Sequence, residues 1–221
     1  MEVKKIQISE GKTETLTLED SLFSYEITLE KDASFIMYDI QIGSTDIEKN
    51  ITINLEGENS NVKIYGLYIL SGNTKNKSKI SVNHMVGNSE STQIYRTILD
   101  DKSRADAEGK IYVAKNADGV IATMGSKNIL LSDTATASAM PILEIYAEDV
   151  KCSHSATSGQ LDPEALFYMR SRGIGEQKAK ELLTYAFAKE IIDKIDSESF
   201  KEEIDKKIKR KLEKSCLHIY S

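Results

Sequence analysis

The feature that most constrains the fold of this chain is a series of short segments, from Lys4 to about His154, in which apolar and polar residues alternate. Alternation with a period of two is the pattern of a β-strand that buries one face. The alternating apolar sets are Ile6/Ile8, Leu16/Leu18, Tyr25/Ile27/Leu29, Ile51/Ile53/Leu55, Val62/Ile64, Ile80/Val82, Ile111/Val113 and Leu143/Ile145. This part of the chain is therefore predicted to be all β.

Turn-forming residues separate these segments. Examples are Glu10-Gly11-Lys12, Glu56-Gly57-Glu58-Asn59 and Ser71-Gly72-Asn73. Strands that recur every ~10 residues are typical of two architectures, a sandwich of two sheets or a solenoid of stacked coils. No clear sequence repeat accompanies the spacing, and periodicity alone does not choose between the two.

After His154 the pattern becomes helical. Asp162 stands before Pro163, which predicts a capped helix that starts there, and Gly173 can take the left-handed conformation that ends it near Arg172. A second helix is predicted from about Glu176 to Ile195 and a third from about Glu198 to Lys214. The chain is thus expected to divide into a β core, residues 4–160, and a C-terminal helical domain, residues 161–221.

Each of the two longer helices carries an apolar face in the sequence. For the second helix the predicted face is Leu182, Leu183, Ala186, Phe187 and Ile191. For the third it is Phe200, Ile204, Ile208 and Leu212, with Glu202/Lys206, Glu203/Lys207 and Asp205/Lys209 as supporting ion pairs.

Composition excludes several classes of protein. With 221 residues the chain can build one sizeable core and a small appended domain. Its net charge of -6 and pI near 5.3 argue against a main role in binding nucleic acid. The charged N-terminus and the lack of any ~18-residue apolar run predict neither a secretory signal nor a membrane span, so a cytoplasmic protein is expected. Its two cysteines, Cys152 and Cys216, are expected to be free thiols.

Catalytic motifs are also missing from the sequence. No Gly-x-x-x-x-Gly-Lys-Ser/Thr motif occurs, so the chain is not itself an ATPase. With three histidines, no tryptophan and no Ser/His/Asp arrangement, a hydrolase or a carbohydrate-active β-helix enzyme is the weakest alternative.

One long segment is similar to a known family. Residues 143–174, LEIYAEDVKCSHSATSGQLDPEALFYMRSRGI, closely resemble the signature of the SufB/SufD family of iron-sulfur cluster assembly scaffolds, and are closer to SufD. Upstream, His84, then Ser91, Gln93, Tyr95 and Arg96, and the segments 106–114 and 128–133 resemble the family's core in the same order. The resemblance covers about residues 80–195.

The resemblance implies a right-handed parallel β-helix followed by a small helical domain that docks onto a SufC-like ABC ATPase. It implies a non-catalytic scaffold on which iron and a transient iron-sulfur cluster are held, with sulfur brought by a donor protein. The expected assembly is a homodimer, or a heterodimer with a SufB-like paralogue, and no nucleic-acid or membrane partner is expected. Typical members carry a large N-terminal region for which this chain has no room.

The candidate cluster ligands are Cys152 and His154. Two residues apart on a strand, they share a face, where a thiolate and an imidazole could hold one iron. The plain alternative is a buried thiol beside a surface histidine. In the resemblance, His154 aligns with the histidine that SufD members are thought to contribute to cluster formation, and Cys152 with its neighbouring cysteine.

Three positions depart from SufB members and make the site SufD-like. Ser126 aligns with a SufB cysteine, and Ser153 and Ser155 replace the glutamates that flank the SufB histidine. Serine is a poor iron ligand. A SufB-like partner, or a site assembled differently, is therefore implied.

The remaining candidates favour structural readings. His84 alternates with Val82 and Val86, which predicts a core or groove histidine rather than a ligand. Cys216 and His218 repeat the Cys-x-His spacing near the C-terminus, where a preorganised site is not expected. Two alternative functions stay open: a DNA-binding turn of the helix-hairpin-helix type at Gly173–Gly175, and a structural adaptor without cluster chemistry.

Overall fold

The computed structural model describes residues 3–215. Residues 3–159 form strands and the turns between them. Twelve strands and three helices occur within residues 3–215. In chain order the strands are β1 Val3–Ile8, β2 Thr13–Glu19, β3 Ser24–Leu29, β4 Ser34–Gln41, β5 Ile47–Leu55, β6 Asn61–Leu70, β7 Lys75–His84, β8 Glu90–Leu99, β9 Arg104–Val113, β10 Val120–Leu130, β11 Thr136–Ile145 and β12 Val150–Gly159. The helices are α1 Pro163–Ser171, α2 Glu176–Ile192 and α3 Glu198–Ser215.

The strands wind into a parallel solenoid of about five turns. Odd-numbered strands form one sheet in the order β1-β3-β5-β7-β9-β11, and even-numbered strands form the other in the order β12-β10-β8-β6-β4-β2. Neighbours in each sheet are parallel, and residues paired between coils lie from 21 positions apart, as Val3 and Ser24 do, to 32 apart, as Arg104 and Thr136 do. Asn54 and Asn83, in the middle of the solenoid, are 29 apart. The predicted parallel β-helix is confirmed, and the alternative of a sandwich is wrong.

Apolar side chains stack in columns inside the solenoid because parallel pairing in register repeats the same face in every coil. One column contains Ile27, Ile53, Val82 and Ile111, all without solvent exposure. These are the residues whose alternation with polar neighbours predicted the strands.

Glycine and asparagine make the tight turns between sheets. The Gly57 N–H donates to the carbonyl oxygen of Leu29 at 3.1 Å, and a Cβ at Gly57 would lie only 1.9 Å from the backbone nitrogen of Lys31, so no other residue fits without a shift. Asn59, with φ of 59°, donates from its side chain to the Asp32 carboxylate of the previous coil at 2.9 Å. The turns predicted at residues 10–12, 56–59 and 71–73 are confirmed as connections between strands.

The strand β4 shows no alternation in sequence, because both of its faces are covered. Met37 and Asp39 are buried inside the solenoid, whereas Tyr38 and Ile40 are buried against the helices. The last residues of β6 and β8 are likewise buried on both faces. A periodicity of two cannot reveal such segments.

The helix boundaries follow the capping signals. The Asp162 side chain accepts from the Glu164 N–H at 2.9 Å, Pro163 occupies the first turn, and Gly173 has a φ of 83°. The predicted start and end of α1 are confirmed, and α2 ends three residues earlier than predicted, at Ile192.

The predicted apolar face of α2 is partly wrong. Leu182 and Ala186 are exposed, whereas Ala188 and Ile192, which were not predicted, are fully buried with Ile191 against the even-numbered sheet. An ion pair also joins this helix to the sheet, because Arg96 of β8 donates to Glu190 at 2.6 Å. The ring centre of Phe187 lies 5.7 Å from the central carbon atom of the Arg96 guanidinium.

Helix α3 packs as predicted. Ile204, Ile208 and Leu212 are buried in the apolar cluster that the helices share with β4, β6 and β8, and Phe200 packs at its margin. All three predicted ion pairs along the helix form. Of the helices within residues 3–215, none combines the length and the apolar character that crossing a membrane requires.

Candidate functional site

The last strand, β12, lies at the open end of the solenoid. It pairs in parallel with β10, and within residues 3–215 no strand pairs with its other edge. The strand β11 ends the other sheet at the same end. The outermost backbone groups of both sheets are therefore available for pairing with another chain.

Cys152 and His154 lie on this edge strand and share one face. Cys152 pairs with Ala122 of β10, and His154 pairs with Met124. Cys152 is half-buried against the interior cluster that contains Ala122 and Met124, so this shared face is the one that turns toward the solenoid interior. His154 is exposed because no further coil covers it. The predicted common face is present, with one side chain partly covered and the other open.

The Cys152 thiol is a protonated group at neutral pH. Partial burial raises its pKa above the ordinary value, and a hydrogen bond with the backbone of Ala122 offsets only part of the rise. A thiolate, and not a thiol, binds metals. Any metal that Cys152 binds must therefore displace a proton.

A small cavity lies near this face, where Ser155 and Ala156 of β12 border it. Its volume is about 30 Å³, and it is lined from both sheets by Tyr95, Met124, Ser126 and the small residues Ala107 and Gly109. The Met124 side chain reaches across to Gly109, where its Sδ lies 2.3 Å from the position of an added Cβ. Small residues thus leave the last coils incompletely filled close to the edge strand.

Comparisons with known proteins show the family of the chain. Residues 12–187 match the family model described as "SUF system FeS cluster assembly, SufBD core domain". The chain belongs to the SufBD core family. The iron-sulfur cluster assembly protein SufD of Escherichia coli is 36% identical over 187 residues, and a SufBD family protein of Synechocystis is 34% identical over 167 residues.

The match to these relatives is partial in length. The alignment with the Escherichia coli protein covers 85% of this chain but 44% of the relative, and that with the Synechocystis protein covers 75% and 36%. This chain therefore spans less than half of the length of either SufBD relative.

Two of the serines that align with SufB residues, Ser126 and Ser153, lie on opposite faces of the even-numbered sheet. Ser126 pairs with Ala156 and lines the cavity, on the same face as Met124. Ser153 lies on the opposite, outer face of β12, where its hydroxyl is 3.5 Å from that of Thr123. Neither residue adds a metal ligand beside His154.

The other candidate ligands do not lie beside Cys152 and His154. His84 is fully buried, and its two ring nitrogens contact the hydroxyls of Ser89 and Ser91 at 2.7 and 2.9 Å. Burial lowers its pKa to about 4, so the ring is neutral, and the prediction of a core histidine is confirmed. Cys216 and His218 lie outside the described residues. Within those residues no group of three or more His, Cys, Asp or Glu could hold a metal.

A buried ion pair in the interior was missed from the sequence. Lys49 donates to Asp39 inside the solenoid, both side chains are 1% exposed, and Tyr68 donates to the same carboxylate at 2.6 Å. The sequence could have revealed that Lys49 is buried, because it alternates with Ile47 and Ile51 and so occupies an inward position.

The turn between α1 and α2 carries a carboxylate at the helix start. Gly175 caps α2, and Glu176 lies in its first turn, paired with Lys180 at 2.9 Å and Arg170 at 3.3 Å. The hydrogen bond from Lys180, with the charges of both cations, holds the pKa of Glu176 below its usual value. A negative charge thus occupies the end of the helix where a DNA phosphate would bind.

Helix α1 presents an exposed aromatic pair. Phe167 and Tyr168 are 72% and 59% exposed, and Met169 beside them is half-buried. Phe187 of α2, in contrast, packs against the even-numbered sheet beside Arg96. The exposed apolar surface of the helices is therefore concentrated on α1.

Proposed function

We propose that this chain is a non-catalytic scaffold, or scaffold partner, for iron-sulfur cluster assembly. Membership of the SufBD core family supports the proposal. The observation that carries it is the position of Cys152 and His154 on one face of the open edge strand. A thiolate and an imidazole are common ligands of iron in clusters, and an edge strand leaves room for the cargo to arrive and depart.

The site is proposed to be completed by a second chain. A cluster usually takes four protein ligands, whereas this face supplies two. The same end of the solenoid exposes the apolar side chains Ile121, Met140 and Tyr146, beside the unpaired edges of β11 and β12. A second copy, or a SufB-like paralogue, could pair with this end and bring its own ligands to the first two.

Anaerobic reconstitution with ferrous iron and sulfide tests the scaffold. We expect visible absorbance and bound iron in the wild-type chain, lost in Cys152→Ala and reduced by about tenfold in His154→Ala. Ser153→Ala, on the outer face of the same strand, and Cys216→Ser are the matched controls and should retain the cluster.

Two results would contradict the proposal. One is a Cys152→Ala/His154→Ala chain that retains as much iron as wild type. The other, which concerns the two-chain site alone, is a cluster-loaded chain that light scattering shows to be a monomer.

We further propose that α1 docks a SufC-like ABC ATPase, while a separate donor protein supplies the sulfur. The sequence has no phosphate-binding loop of its own, so energy from ATP must come from a partner. Phe167 and Tyr168 support this docking, because large aromatic side chains that are exposed side by side are characteristic of interface centres.

Co-purification with the ATPase tests this surface. We expect Phe167→Ser/Tyr168→Ser to abolish capture of the ATPase, because both side chains would be central anchors of the interface. Tyr146→Ser removes an equally exposed tyrosine at the far edge and should not affect capture. Undiminished capture by the α1 variant would exclude this helix as the docking surface.

A further inference from the structure

A thioether lies next to the two candidate ligands. Met124 is the register partner of His154 on the neighbouring strand, and Cys152 is two residues away on the same face as His154. Paired residues of adjacent strands stand roughly 4.8 Å apart, so the three side chains occupy adjacent positions on one face. The positions 124 and 154 are far apart in sequence, and only the winding of the solenoid brings them together.

The sulfur atoms of Met124 and Cys152 belong to the same environment. Both side chains pack in the interior cluster formed with Ala122 and Val120, and Met124 is only 4% exposed. Met124 also lines the small cavity near the edge strand. The Met124 sulfur packs over Gly109, but a methionine side chain is unbranched and has three rotatable bonds, so a change of rotamer can turn the sulfur toward β12.

We propose that Cys152, His154 and Met124 together form a binding site for Cu(I). A thiolate, a thioether and an imidazole are a soft donor set, and thiolate and thioether donors select Cu(I) over harder ions. Binding releases the thiol proton of Cys152 to solvent and changes no oxidation state. The site uses the two ligands of the proposed function but needs neither sulfide nor a second chain.

This site would make copper a competitor of iron at the open edge. Thiolate ligands bind Cu(I) tightly, and the additional thioether is a donor that favours copper more than iron. A chain loaded with Cu(I) would have both of its candidate cluster ligands occupied.

The simpler role for Met124 is to fill space. Its sulfur packs over Gly109, and methionine is a common filler of irregular interiors. The two roles differ in one measurable respect: a filler can be replaced by leucine without any change in metal affinity, whereas a ligand cannot.

Anaerobic competition against the Cu(I) chelator bicinchoninate, without iron or sulfide, measures the affinity. All variants carry Cys216→Ser, because residues 216–218 repeat the Cys-x-His spacing. We expect one Cu(I) per chain, and Met124→Leu to weaken binding by at least about tenfold. Met37→Leu is the matched control, because Met37 is a fully buried methionine that faces inward in the same column three strands away. Met37→Leu should bind Cu(I) as tightly as the Cys216→Ser parent.

Copper X-ray absorption supplies a structural readout. We expect two sulfur neighbours in the parent chain and one in Met124→Leu, with circular dichroism confirming that both are folded. The inference is overturned if the parent binds no Cu(I), if Met124→Leu binds as tightly as the parent, or if Cys152→Ala retains the metal. Failure here is separate from failure of the scaffold: a chain that assembles a cluster but ignores Cu(I) refutes only the copper site.

Discussion

Asp39→Asn is expected to destabilise the protein by about 3–5 kcal/mol, because it leaves a lysine charge buried without its counter-ion. Lys49 and Asp39 are each 1% exposed, and the Tyr68 hydroxyl donates to the same carboxylate at 2.6 Å. The Lys49 ammonium also lies 5.4 Å from the Tyr68 ring centre. Asparagine retains an acceptor for Tyr68, so the loss reports on the charge. Urea denaturation at neutral pH measures the free energy of unfolding.

A second substitution distinguishes charge from shape. Asp39→Asn/Lys49→Met removes both charges and should recover most of the lost stability, since replacing a buried pair with neutral groups of similar volume is often nearly neutral. Glu48→Gln breaks the exposed pair with Lys77 and should leave the unfolding midpoint unchanged. If Asp39→Asn alone were as stable as wild type, the interior ion pair would have to be hydrated.

Acidification from pH 7 to pH 4 is expected to cost about 3 kcal/mol through His84 alone. Burial lowers the pKa of His84 to about 4 in the folded chain, whereas an unfolded histidine titrates near pH 6.5. Between these values the unfolded state binds a proton that the folded state does not. The stability that comes from keeping His84 neutral is therefore fully present above pH ~6.5, and it is lost as the pH falls toward 4.

The difference between wild type and His84→Gln isolates this effect from the titration of carboxylates. Glutamine can still hydrogen-bond to Ser89 and Ser91, so His84→Gln should fold and show a shallower loss of stability between pH 6.5 and 4. His154→Gln, at the exposed histidine of β12, should follow the wild-type profile. Equal acid slopes for His84→Gln and wild type would show that His84 is not held neutral by the fold.

Local signals predicted the elements well wherever one face of a strand is exposed. The columns through Ile27, Ile53 and Val82 follow directly from alternation, and Asp162 with Gly173 marked the ends of α1. Alternation gives no signal at β4, where Tyr38 and Met37 are both buried, and on α2 it is Ala188 and Ile192, not Leu182 and Ala186, that meet the sheet. In each case a contact made by a distant segment removed or rotated the pattern.

The candidate site also depends partly on local sequence and partly on tertiary structure. The identity of Cys152 and His154 as candidates came from a resemblance in sequence, and their role as ligands stays a prediction. The division of the chain at residue 160 also stays a prediction, although the last strand ends at Gly159 and α1 begins at Pro163. Placement at an open edge, partial burial of the thiol and the cavity near the edge strand are properties of the assembled coils.

By itself the sequence determined which segments become strands, where the turns and helix caps fall, and to which family the chain is similar, because alternation, glycine conformations and capping side chains act within a few residues. Only the tertiary structure decided which side chains meet. Each coil of the solenoid returns the chain to the same face after about 30 residues, as at Thr123 and Ser153. Parallel pairing within one sheet places Met124 beside His154, and the facing of the two sheets across the interior brings Lys49 to Tyr68, so residues that no local pattern relates come together.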